Sequence, residues 1–161
     1  VMTNPPAIDL DIEYYVDSVY DDSQRIRLAA SWIAQHYGFD RFQASISIVG
    51  DDAIREVNRT ELKHDWATDV ISFVIEMEDK VVDGEVIASV DTAARLHQAA
   101  GWSVEDELLL YVVHGLLHVA GLDDLDESQR REMRAAEQAC LLALGVAHAA
   151  ELLDRWDNIS Y

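Results

Sequence analysis

His114 and His118 stand four residues apart inside Leu108 to Val119, a run that is nearly all apolar. On a helix, that spacing sends both imidazoles out of the same face, one turn apart. Gly121 follows three residues after the second histidine and suits the left-handed turn that ends a helix. A chain reversed there brings Asp124 back toward the two rings. Two imidazole nitrogens and one carboxylate make a three-point cradle for one divalent metal ion, Zn2+ first among the candidates, with a position left for water. An ion so held polarises a bound oxygen or acidifies a water, which is hydrolytic chemistry. The competing expectation is two core histidines with satisfied hydrogen bonds and no ion, since an unpaired ring inside an apolar helix is costly.

The ligand spacing matches the extended His-x-x-x-His-x-x-Gly-x-x-ligand pattern of zinc peptidases. Those enzymes place a glutamate general base directly after the first histidine. Here that position is Gly115. The cradle is retained while the peptidase base is absent, which weighs against a protease.

Several elements must position this helix. Residues 8–14 and 44–49 alternate apolar and polar with period two, as half-buried strands do. Residues 70–75 and 85–90 form two further strands, with a polar turn from Glu78 to Gly84 between them. Ser23 is expected to cap a helix ending near Gly38, and Asp51 or Asp52 a short helix through Val57. Asp91 is expected to cap the helix that Gly101 ends, and Ser103 with Asp106 resembles a capping box for the histidine helix. A last helix runs from Glu127 to Leu144, and Leu152, Leu153 and Trp156 give the tail enough apolar surface to dock. The fold expected is α/β (α+β): a single small mixed sheet of about four strands packed by about five helices, with a zincin-like metal helix.

With 161 residues and half of them apolar, the chain is expected to be one domain over 1–161. No stretch of eighteen apolar residues occurs, so no membrane span is expected, and residues 1–6 do not read as a secretory signal. The lone Cys140 cannot form an internal disulfide, which suits a reducing cytoplasm. The formal charge of −19 repels polyanions at long range, so any nucleic-acid substrate requires a local groove or a partner.

Three stretches carry a family likeness. His114-Gly-Leu-Leu-His118-Val-Ala-Gly121-Leu-Asp123 resembles the signature of the bacterial YbeY family, metal-dependent endoribonucleases tied to ribosomal RNA maturation. Asn58 with Asp65-Trp-Ala-Thr68-Asp69-Val-Ile-Ser72-Phe73, and the stretch Gly84 to Ala93, resemble two other motifs of that family, in its order. The chain departs from the pattern twice. Asp124 stands where the family usually has a third histidine, and Leu62 where it has a groove arginine; Arg59 or Lys63 are the substitutes within reach.

The resemblance implies phosphodiester hydrolysis of ribosomal RNA, with the RNA or a ribosomal subunit as partner and His114, His118 and Asp124 as metal ligands. Asp69 and Asp123 are the candidates for proton acceptor, and Asp123 is also an alternative ligand. Arg59, Thr68 and Ser72 are candidates for substrate contact, the last two equally for capping and packing. Two rivals remain: a metal hydrolase of peptides or small molecules, and a non-catalytic, metal-stabilised ribosome-assembly factor. His36, His64, His97 and His148 are expected to be surface or packing residues and the tryptophans core or interface ones, with Trp66 alone placed to line a groove.

Overall fold

Strand β1 (Ala7–Tyr14) turns Ile8, Leu10, Ile12 and Tyr14 toward the core and leaves Asp9, Asp11 and Glu13 on its other side, as period-two alternation requires. A computed structural model describes residues 4–17 and 20–152 of the chain. Within them follow α1 (Ser23–His36), β2 (Arg41–Val49), α2 (Asp51–Leu62), β3 (Val70–Glu78), β4 (Val81–Ser89), α3 (Val90–Ala100), α4 (Val104–Val119), α5 (Glu127–Ala143) and a short 3-10 helix (Ala147–Glu151). The four strands form one mixed sheet in the order β1-β2-β4-β3. β1, β2 and β4 are parallel, and β3 closes one edge antiparallel to β4.

Apolar residues from α1, α3, α4 and α5 share one large core with the inward side chains of the strands. On the opposite face α2 covers a smaller cluster of Val49, Ile54, Ile71 and Ile87. Away from α2 that face is an open trough lined by Asp9, Asp11, Gln43, Ser45 and Asp83, among others. The last described turn docks as expected, with Ala149 and Leu152 buried; Leu153 and Trp156 lie outside the described residues. Among the described residues no helix is long and apolar enough to cross a membrane.

The structure moves several element ends. α2 continues beyond Val57 to Leu62, and the β3–β4 connection is a tight turn at Asp79 and Lys80 rather than a loop reaching Gly84. Glu76, Glu78 and Asp83 belong to exposed strand ends whose polarity imitates a loop. The expected caps also shift. Gly50, not Asp51 or Asp52, precedes α2, and the Asp51 backbone N–H donates to Asp91 Oδ2 at 2.8 Å. Asp91 therefore caps its neighbour, while Ser89 caps α3 by accepting from the Thr92 N–H. Asp22 precedes α1, and Ser23 is its first residue, bonded to Asp21 Oδ1. Ser103 does cap α4, accepting from the Asp106 N–H at 3.1 Å. The Asp106 carboxylate instead takes Arg25 of α1, at 2.8 Å.

Helix α4 reaches the sheet closely because two glycines let it. A Cβ placed on Gly115 would lie 2.6 Å from Val86 Cγ1, and one on Gly84 would lie 2.5 Å from Val119 Cγ1 and 2.9 Å from the Phe73 carbonyl oxygen. Gly115→Ala therefore overpacks the helix–sheet seam, and we expect it to cost about 1–3 kcal/mol in urea unfolding despite alanine's better helix propensity. An unchanged or raised midpoint would contradict the close approach.

Candidate metal centre

The end of α4 builds the site. Ala120 closes the helix, Gly121 takes φ 108°, its N–H donates to the His118 carbonyl at 3.0 Å, and the Leu122 N–H donates to the Leu117 carbonyl at 3.0 Å. This paired-bond termination needs a left-handed residue, which glycine adopts without a steric penalty. The turn sends the Leu122 carbonyl back over the helix, where His118 Nδ1 meets it at 2.9 Å. A carbonyl only accepts, so Nδ1 is the donor in this contact and Nε2 is the nitrogen turned toward the cluster. Two residues further on, Asp124 arrives above both rings.

His114 Nε2 and His118 Nε2 are 3.1 Å apart, and each lies 3.3 Å from Asp124 Oδ2. Three donor atoms thus form a nearly equilateral triangle. A tetrahedral ion bonded to nitrogen and oxygen at about 2.0–2.1 Å places its donors about 3.3 Å apart, so the triangle fits one face of that tetrahedron. Without an ion, two facing imidazole nitrogens repel unless a proton lies between them. Asp124 is the partly exposed corner and the histidines the sheltered ones, an opening suited to water or substrate.

The electrostatics agree with the geometry. Burial pushes the His114 pKa down, but Asp124 and Glu137 outweigh it, and the ring rises to about 9. The Asp124 carboxyl is lowered to about 2, chiefly by its contact with His114, against some burial. A proton and a cation compete for the same donor atoms in such a cluster.

The remaining candidates are scattered. Asp69 is buried just before β3, its Oδ1 accepting from the Val70 N–H at 2.8 Å and from Thr68 Oγ1 at 3.2 Å, while Oδ2 has no hydrogen-bond partner. Burial raises its pKa, and the nearby positive charge of His114 opposes the rise. Thr68 is thus an orienting neighbour of Asp69. Ser72 is half-buried on β3, in register with Val86 of β4. Asp123 is exposed and faces a surface cleft with Tyr37, Gln129 and Glu132; it is not one of the three converging groups. Leu62 is an exposed last residue of α2, Arg59 is paired with Glu56 on the same helix, and Lys63 takes the left-handed position after it. Trp66 is exposed and stacked on His64, while Asn58 Nδ2 ties its carbonyl to α2 at 2.9 Å.

Two charged residues escaped the sequence reading. Glu137 and Arg134 lie on the buried face of α5, only 1% and 3% exposed, 3.1 Å apart, with Glu137 Oε1 3.6 Å from His114 Nδ1. A signal existed. From Glu107 onward the polar residues of α4 are Glu107, Tyr111, His114 and His118, spaced as a single stripe, and Arg134 and Glu137 interrupt the apolar periodicity of Met133, Ala136, Cys140 and Leu141.

Comparisons with known proteins identify the family and the fold. A family model described as "Endoribonuclease YbeY" matches residues 15–145. A protein of that name from Rhodopirellula baltica is 41% identical over 129 residues, covering 78% of this chain and 66% of its own length. Another from Porphyromonas gingivalis is 33% identical, covering 88% of this chain and 95% of its own length. The solution structure of TM1509 from Thermotoga maritima superimposes with a TM-score of 0.58 over 92% of this chain and 91% of that one, at 21% identity, and so shares the fold.

Proposed function

The chain belongs to the endoribonuclease YbeY family, and from that premise we propose that it is a divalent-metal-dependent endoribonuclease acting on ribosomal RNA. The observation that carries the metal dependence is the triangle of His114, His118 and Asp124 donors with edges of 3.1 to 3.3 Å. Two imidazoles and one carboxylate suit zinc first, and also accommodate iron or manganese. When bound, such an ion supplies Lewis acidity toward a phosphoryl oxygen and lowers the pKa of a water.

The chain's own groups do the rest. Asp69 accepts the proton of the attacking water through Oδ2, since Thr68 and the Val70 N–H hold the other oxygen and fix the carboxylate's orientation. Burial makes it a stronger base than an ordinary aspartate. Water adds to phosphorus as the phosphorus bond to one ribose oxygen breaks, and the departing oxygen takes a proton from solvent to leave as a hydroxyl. Ser72 lines the approach from β3, and Arg59 steadies a phosphate once it exchanges Glu56 for the substrate. Phosphate must enter from the open Asp124 side, because the trough across the sheet is acidic and repels it. Cys140 is buried and its thiol is pushed up to about 12 by that burial, so it stays protonated and inert, in keeping with a cytoplasmic setting.

The test is cleavage of a structured ribosomal RNA fragment by chelator-treated protein, which we expect to return only when a divalent ion is added back. Cleavage that ignores the chelator would remove the reading. Within it, Asp69→Asn should lower kcat by about 10²–10⁴-fold while bound metal, measured by elemental analysis, stays at the wild-type level. Asp123→Asn should leave the rate nearly unchanged. Full activity in Asp69→Asn would transfer the proton acceptor's role elsewhere.

A further inference from the structure

We propose that Glu137, held by Arg134, is the positioning residue for His114, backing its Nδ1 so that Nε2 faces the metal position. The inference rests on the metal-binding reading above and adds to it a residue from a different helix. His114 directs Nε2 at His118 and Asp124, which leaves Nδ1 as the atom turned to α5. Glu137 Oε1 lies 3.6 Å from that Nδ1, an ion-pair separation about half an ångström beyond a good hydrogen bond. Carboxylate, imidazole and cation in line is the arrangement that fixes a ligating histidine's tautomer and strengthens it as a donor.

The surroundings argue that this pair is not there for packing. Arg134 and Glu137 sit among Met133, Ala136, Cys140 and Leu141, where ionisable groups lose their water at a cost that apolar residues would avoid. Arg134 Nη1 lies 3.1 Å from Glu137 Oε1 and holds that carboxyl group in place. The two histidines are thereby oriented by different means. His118 leans on the Leu122 backbone carbonyl, while His114 faces the Glu137 carboxyl group that Arg134 holds. His114 becomes the stronger donor, and its position deep in the fold makes it the anchor of the pair.

The experiment is a titration of the metal-free full-length protein with zinc, in competition with a chromophoric chelator. Glu137→Gln should weaken zinc binding by about 10–100-fold, and Glu127→Gln, exposed at the start of the same helix, should leave it unchanged. Melting temperatures of the metal-free forms separate lost affinity from lost fold. If Glu137→Gln does not fold, nitrogen-15 spectra of the wild-type zinc-loaded His114 ring decide the matter. A protonated, strongly hydrogen-bonded Nδ1 supports the assignment, and a metal-bound Nδ1 overturns it. A folded Glu137→Gln with wild-type affinity, beside a His118→Ala that has lost zinc, overturns this inference while leaving the metal reading intact. A wild-type protein that binds no divalent ion overturns both.

Discussion

Replacing His118 with alanine is expected to lower RNA cleavage by at least about 10²–10³-fold, the loss of several kcal/mol of Lewis-acid stabilisation at 1.36 kcal/mol per decade. His118 is the better target of the two rings because His114 is more deeply packed. The substitution removes Nε2 from the donor triangle and the Nδ1 bond to Leu122. That second loss costs only about 1 kcal/mol, and the two backbone bonds that close α4 at Gly121 and Leu122 survive it. The fold should therefore persist while the ion is lost. Thermal unfolding with and without zinc checks this directly. At zinc a thousandfold above its dissociation constant, the wild type should gain about 4 kcal/mol, and His118→Ala nothing. An equal gain in both proteins would place the ion elsewhere.

The second large effect concerns acidity. In the metal-free protein His114 titrates at about 9, against 6.5 for a free ring, because Asp124 and Glu137 outweigh the opposing effect of burial. A raised folded-state value means the stabilisation is complete below pH 6.5 and is lost as the pH climbs through 9. Its size is at most about 3 kcal/mol. Asp124 behaves in the opposite sense: its depressed value of about 2 gives stability that is present above pH 3.8 and lost as the pH falls through 2. That contribution is smaller, since the carboxylate is more than a third exposed and screened by solvent. Metal-free protein should thus be most stable between these limits and weaken toward pH 9. Zinc must displace the proton from His114, so near pH 7.5 binding should release about one proton, measurable as a dependence of calorimetric heat on the buffer. A metal-free stability that is flat from pH 6.5 to 9 would contradict the coupling of His114 to its two carboxylates.

Much of this was legible in the residues themselves. Period-two alternation located β1, and the unbroken apolar run of α4 announced a helix through the centre of the core. The spacing of His114, His118 and Gly121 carried the three-donor cluster, because helix periodicity and a glycine turn are both local properties. What escaped was set by tertiary neighbours. Gly50 rather than an aspartate precedes α2 because Asp91, forty residues away, satisfies the Asp51 N–H. The polar end of the β3–β4 hairpin reads as a loop, since an open sheet edge and a loop ask for the same residues. Glu137 was only half legible: with Arg134 it interrupts the apolar periodicity of α5, but the ring it faces belongs to another helix.

Gly115 sets a limit on what this scaffold can become. The residue directly after the first histidine points into the sheet, against Val86 and Val70, with no room even for a methyl group unless its neighbours shift. A glutamate installed there would be driven into valine side chains instead of toward the His114, His118 and Asp124 donors. The motif difference that separates this family from the zinc peptidases is therefore not one point mutation wide. Crossing it would require α4 to back away from β3 and β4, dismantling the seam that holds the two imidazoles at their spacing, so the two catalytic repertoires are separated by a structural barrier as well as a chemical one.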